Sequence, residues 1–270
     1  MRQSIFEIEN RLDMNLEFRK IIKALNQKDT IIYNYKYMSL FSFFDNYIFN
    51  IWPYRDTFID LKSYLEHIGI NDSIYGGYQT IDEVTFLNFI ELLENMLFLT
   101  KNKIGWWNIE FLSLKTKNVL LHNISIILEK MNYESNKIGD KICIRKRDAD
   151  IDSILEIVPS DISELLLSYN DIRNNNIDSK KIILKKLDLY IEENKKVYKS
   201  LNSSTYDSIQ TIVNKMGINH PIQEEAYKSL DLKTLIEWYD KCFKLIIHLI
   251  RCNDVNTINN ERNKLIEGIK

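Results

Sequence analysis

Glycine and proline are scarce in this sequence, 7 and 3 among 270 residues, roughly a third of ordinary usage. Sandwiches and barrels of β-strands spend both residues at their many tight turns, where a positive or a fixed φ is required. A chain this poor in them makes few sharp reversals. The expected fold class is therefore mainly α, a multi-helix bundle, and the 45% hydrophobic content supplies core for one large domain or two modest ones.

Helical periodicity agrees. Phe86, Ile90, Leu93 and Leu97 recur at steps of four, three and four, as do Leu120, Ile124, Ile127 and Met131, and each stripe needs a partner to bury it. The run TIDE, Thr80 to Glu83, reads as a capping box before the first stripe, and NDSIYGGYQ before it as a loop. The pattern changes once, in NYESNKIGDKICIRKR. Two short alternating runs around Gly139-Asp140 predict one small β-hairpin inserted among the helices near 133–146. Pro159 is expected at or just before the first residue of a helix. DIRNNNID, Asp171 to Asp178, reads as a polar break, followed by helices over about 178–201, 204–216 and 223–252. A coarse division places an aromatic-rich helical region at 1–104, with the hairpin and a C-terminal bundle at 105–270.

Acidic and basic residues nearly balance, 38 against 36, so bulk charge points neither to nucleic acid nor to an anionic membrane. Residues 178–270 are the more basic part, with 16 basic and 13 acidic side chains. Three cysteines, Cys143, Cys242 and Cys252, lie in no CxxC pattern; no disulfide is expected and a reducing cytoplasm is the expected compartment. No apolar run reaches the roughly 18 residues of a membrane span.

Between Tyr33 and Tyr54 the chain packs ten aromatic residues. Stacking on bases needs accompanying cations, and only Lys36 and Arg55 are at hand, so core or interface packing is expected, with Trp52 as a dimer anchor. In SKKIILKKLDLYIEENKKVYK the stripe Ile183, Leu187, Tyr190, Asn194 and Val197 is assigned inward. Its lysines, with Asp188, Glu192 and Glu193, are assigned to a solvated face. In the last helix Leu235, Tyr239, Cys242, Ile246 and Leu249 face inward. Lys241, Lys244, His248 and Arg251 form a second row, at steps of three, four and three, which is either an ordinary solvent-facing basic stripe or one able to follow a phosphate backbone. His248 and Cys252 are two ligand types without a third, so no metal is expected there; the sequence holds no P-loop, GxGxxG, GxSxG, HExxH or CxxC motif, and no cofactor is expected.

Of four histidines, His67 is read as a helix-end residue and His122 as lying off its apolar stripe. His220 is the one set apart. In NKMGINHP, Gly217 suits a left-handed helix end and Pro221 the first residue of the next helix, which leaves His220 at an N-cap position where Ser, Thr, Asp or Asn is usual. Such a histidine is either a packed or capping residue of the junction or, beside a phosphate bound at the helix N-terminus, a group that can exchange protons with an RNA 2′-hydroxyl, with Lys215 or Arg173 stabilising the developing charge.

NKMGINHP, with its flanking helices and the following EWYDKCFKLIIHLIR, resembles the HEPN superfamily, in particular the HEPN-like helical proteins of bacterial abortive-infection and toxin systems, over roughly residues 178–252. The resemblance implies an all-helical bundle, often a homodimer, with an Arg-x4–6-His motif forming a metal-independent ribonuclease site at the subunit interface. His220 matches the motif histidine. The motif's arginine has no counterpart in that window; Lys215 is the nearest substitute, and Arg173, followed by Asn174, has no histidine at the required distance.

Two functions are thus expected to compete. One is an abortive-infection-type protein that cleaves or binds RNA through His220, Lys215 or Arg173, guided by Lys241, Lys244, His248 and Arg251. The other is a non-catalytic helical module whose aromatic N-terminal region binds another protein. A homo-oligomer or a protein partner fits either reading.

Overall fold

A computed structural model of the chain describes residues 12–71, 80–112, 114–171, 174, 176–220 and 228–269, with all of their side chains except those at 106, 114–119, 121, 268 and 269. It is mainly helical with two small antiparallel sheets. The chain divides into two compact units, residues 1–147 and 148–270, so the first runs on past residue 104 to take in the hairpin.

In the first unit, α1 (Met14–Asn26) starts where the Asp13 carboxylate accepts the Leu16 N–H at 3.0 Å, and it buries Phe18, Ile21, Ile22 and Leu25. Strands β1 (Ile31–Tyr33) and β2 (Lys36–Met38) form a hairpin whose two turn residues, Asn34 and Tyr35, both have positive φ, the arrangement that matches strand twist. A third strand, β3 (Glu110–Phe111), pairs with the other side of β1 to give the order β2-β1-β3. Nothing in the local periodicity announces this sheet, because its strands are only two or three residues long and one comes from far along the chain.

The aromatic stretch then enters α2 (Leu40–Phe43), a π turn (Phe44–Ile48) and a 3-10 turn (Phe49–Ile51). Phe43, Phe44, Phe49 and Trp52 are buried. Trp52 is therefore core and not a surface anchor; its ring meets Tyr64 edge-on at 5.2 Å. After α3 (Leu61–His67) comes α4 (Glu83–Leu99), which begins at Asp82, whose carboxylate accepts the Thr85 N–H at 2.7 Å. The cap is thus two residues later than TIDE suggests, and Glu83 is the first helical residue instead of the reaching-back partner. The NDSIYGGYQ loop lies almost wholly outside the described residues.

The helix α5 (Leu114–Lys130) leads into the expected hairpin, β4 (Tyr133–Ile138) and β5 (Lys141–Lys146), turning at Gly139 with φ 59°. Its partner along β5 is α4. Asn95 donates to the Ile142 carbonyl at 2.8 Å and accepts from the Ile142 N–H at 3.0 Å, while Glu91 accepts from the Ile144 N–H at 2.8 Å. Two helix side chains thereby stand in for a missing strand and blunt the edge of the sheet.

The second unit comprises α6 (Ala149–Asp152), α7 (Ser160–Tyr169), α8 (Ile177–Glu193), α9 (Lys195–Leu201), α10 (Ser203–Lys215) and α11 (Leu232–Ile269). Pro159 directly precedes α7. The helix expected over 178–201 is broken at Asn194, which ends α8 and begins α9. The inward face shifts with it: α8 buries Lys180, Ile183, Leu184, Leu187, Asp188 and Ile191, while Val197 is exposed. The stripe assigned to α11 is correct in full, since Leu235, Tyr239, Cys242, Ile246 and Leu249 are all buried in one apolar cluster.

Candidate functional site

The turn that carries His220 is built by the end of α10. Asn202 starts that helix by accepting the Thr205 N–H at 3.0 Å. At its other end Gly217 takes φ 75°, a conformation open to glycine because no Cβ meets the carbonyl. The Ile218 N–H reaches back to the Val213 carbonyl at 3.2 Å, and Ile218 itself is buried. This is a Schellman end with its accompanying apolar contact, as the glycine suggests.

Three further ties hold the turn from beneath. The Tyr239 hydroxyl of α11 donates to the Met216 carbonyl at 3.0 Å. The Asn219 amide donates to Asp188 Oδ2 at 2.8 Å, and Gln210 of α10 donates to Asp188 Oδ1 at 2.8 Å. Asp188 is only 2% exposed, so both carboxylate oxygens are used to fasten α10 and the turn to α8. Burial raises its carboxyl above the ordinary value, against the two amide hydrogen bonds, with the Glu192 charge adding to the rise. Behind it, burial and the Asp188 charge push the Cys242 thiol up to about 12, which keeps it protonated and unreactive.

On this platform His220 is exposed, next to Asn219, and Lys215 is half-buried at the last turn of α10. The assignment of His220 as an N-cap rests on Pro221, which lies outside the described residues, as does Arg173. The second row is placed as follows. Lys241, Lys244 and His248 are exposed along α11. Lys241 Nζ stands 4.4 Å from the Trp238 ring centre, a cation–π contact. Arg251 is engaged otherwise: it pairs with Asp150 Oδ1 at 3.0 Å and donates to Ser153 Oγ, so it ties α11 to the start of its unit. His248 Nε2 and Cys252 Sγ are 3.5 Å apart. Among the described residues no third His, Cys, Asp or Glu ligand atom joins them.

Two polar groups that local patterning assigns to solvent are buried here. Asp188 is one. Lys180 is the other: its Nζ lies 2.6 Å from Asp240 Oδ1 and 4.4 Å from the centre of the Tyr169 ring, which stacks on Phe243 at 3.9 Å. The Tyr169 hydroxyl donates to the same Asp240 oxygen at 2.9 Å. A signal for both exists in hindsight, since Lys180, Leu184, Leu187, Asp188 and Ile191 share one helical face.

The last strong feature belongs to the first unit. Tyr35 and Tyr37 on the β1–β2 hairpin, and Trp107, are largely exposed while their aromatic neighbours fill the core. Among the described residues no helix is long and apolar enough to cross a membrane. Comparisons with protein-family models, with curated proteins and with solved structures find no match to this chain.

Proposed function

We propose that the second unit is a HEPN-like RNA-directed module of the abortive-infection type, acting as a metal-independent endoribonuclease. The observation that carries this reading is the contrast at one turn: His220 is exposed, while the residues just before it are fastened from beneath by Tyr239, Asp188 and a Schellman end. An acid–base group gains most when its support is preorganised and its ring remains open to substrate. In this reaction His220 takes the proton of a 2′-hydroxyl, whose oxygen attacks the adjacent phosphorus. The P–O5′ bond breaks as the proton passes from His220 to the leaving O5′, and the products are a 2′,3′-cyclic phosphate, a 5′-hydroxyl and neutral His220. Lys215 neutralises charge on the phosphate, and Lys241, Lys244 and His248 follow the backbone of the strand. Arg251, already held by Asp150, contributes less.

The test is incubation of the protein and of His220→Ala with RNA oligonucleotides in the presence of chelator, reading fragment length and end group. Cyclic-phosphate ends from the wild type, reduced at least a hundredfold in the variant, are the expected outcome. Equal cutting by both removes His220 from the mechanism.

A second reading has its own observation. The exposed Tyr35, Tyr37 and Trp107 are the residue types that anchor protein interfaces, which suits a non-catalytic partner-binding role for the first unit. Loss of a co-purifying protein on Tyr35→Ser/Tyr37→Ser, with no RNA cleavage by the wild type, would establish this reading in place of the first.

A further inference from the structure

The helix α11 changes its apolar side partway along. From Leu235 to Ile250 the buried residues lie on one face, against the core of their own unit. Beyond that point the continuation of this face is polar: Asn253, Thr257, Asn260 and Lys264. The opposite face, meanwhile, is a single row of three- and four-residue steps, Lys241, Lys244, His248, Arg251, Val255, Ile258, Arg262 and Leu265. Its first half is cationic and its second half apolar except for Arg262. Val255, Ile258, Leu265 and the neighbouring Ile266 are 52%, 55%, 66% and 48% exposed, and at 3.6 residues per turn they and Arg262 fall within an arc of about 100°.

Such a segment does not hold a helix by itself. It is rich in Asn, with Val, Ile and Thr besides, all modest helix formers, and an isolated helix of this length is marginal in water without a packed face. A lipid surface suits it poorly, because residues 253–267 carry Asp254, Glu261 and Glu267 against Arg262 and Lys264, and anionic lipid selects basic polar faces. RNA suits the cationic half and not the apolar one.

We propose that residues 255–266 of α11 are a docking surface for a second copy of this chain, the two helices running antiparallel. Charge selects that orientation. A parallel pair would set Lys241 and Lys244 against their own copies, whereas an antiparallel pair sends the two cationic halves to opposite ends. With the two-fold axis near Asn260, Val255 meets Leu265 of the second copy and Ile258 meets the aliphatic stem of Arg262. Glu261 of each copy then flanks the Arg262 guanidinium of the other, so the surface is self-complementary. Four layers make a short contact, and the association is expected to depend on concentration. It does not rest on the RNA reading.

Sedimentation velocity across a micromolar concentration series tests it on the full chain. The expected result is a monomer-to-dimer shift for the wild type, abolished in Ile258→Asp/Leu265→Asp, whose far-ultraviolet circular dichroism shows the bundle intact. A wild type that stays monomeric throughout, or a double variant that still dimerises, overturns the proposal. Orientation is read from nitroxide distances in a Cys252→Ser background, where the remaining Cys143 and Cys242 are buried. Labels at Asn260→Cys should lie within one helix-pair width. Those at Lys244→Cys, 16 residues from the axis on each helix, should stand about 48 Å apart along it at 1.5 Å per residue. A Lys244→Cys distance no longer than the one at Asn260→Cys means a parallel pair and overturns the antiparallel arrangement.

Discussion

Each unit buries polar side chains, and it uses them differently. In the first, Asn95 and Glu91 bond to the backbone of β5, at Ile142 and Ile144. In the second, Asp188 bonds to two other side chains, Gln210 and Asn219. A backbone group in a strand cannot turn away when its partner is lost, whereas a side-chain amide at a half-buried position can rotate toward water. The same count of hydrogen bonds should therefore cost more to remove in the first unit, where they complete a sheet, than in the second, where they steady a turn.

The largest effect is expected at Asn95→Leu. It leaves the Ile142 N–H and carbonyl unmatched beside a leucine, a loss of about 3 kcal/mol in denaturant unfolding of the first unit's transition. Asp188→Leu should cost less, about 1–2 kcal/mol, because Gln210 and Asn219 can find water. Its sharper signature is faster amide hydrogen exchange at Ile218 and Asn219. A larger loss at Asp188→Leu than at Asn95→Leu would invert the comparison.

A smaller effect separates charge from geometry at the same place. Asp188→Asn keeps the shape, and the facing amides can flip to suit it. The folded protein holds the Asp188 proton above the ordinary carboxyl value of 3.8. The associated stabilisation is complete below that pH and is lost as pH rises through the folded value. The variant has no such loss, so its melting temperature should gain on the wild type over the pH window above about 4 in which the carboxyl ionises. A difference that does not change with pH would show that the buried carboxylate does not titrate in that window.

The smallest expected effect concerns the thiols. Cys252 is half-exposed, and Cys143 and Cys242 are buried. A thiol reagent should modify one cysteine in the native protein and all three only on unfolding. Native-state labelling of Cys242 would mean that the core behind the turn opens far more readily than its packing implies.

How legible was all this beforehand? The α11 stripe from Leu235 to Leu249, the hairpin turning at Gly139 and the left-handed Gly217 follow from local rules, since side-chain period and positive φ are properties of a few adjacent residues. The three-stranded sheet, the burial of Lys180 and Asp188, and the break at Asn194 do not. Lysine and aspartate next to leucine read as solvent-facing until a partner from another helix, Asp240 or Gln210, is brought up to them. For the candidate site, the turn was visible and the carboxylate that holds it was not. The cationic row of α11 was visible too, while its continuation into Val255, Ile258 and Leu265 became meaningful only once those residues were seen to lie uncovered.

By itself, then, the sequence determined that this protein is mainly helical with a hairpin near residues 133–146, because scarce glycine and proline and a 3.6-residue apolar period act within a single segment. Tertiary structure decided which polar residues are inside, which aromatics are outside and which turn is held rigid. Those outcomes depend on pairs of residues far apart in the chain, whose meeting is set by how the helices pack and by the need of each buried donor and acceptor for a partner.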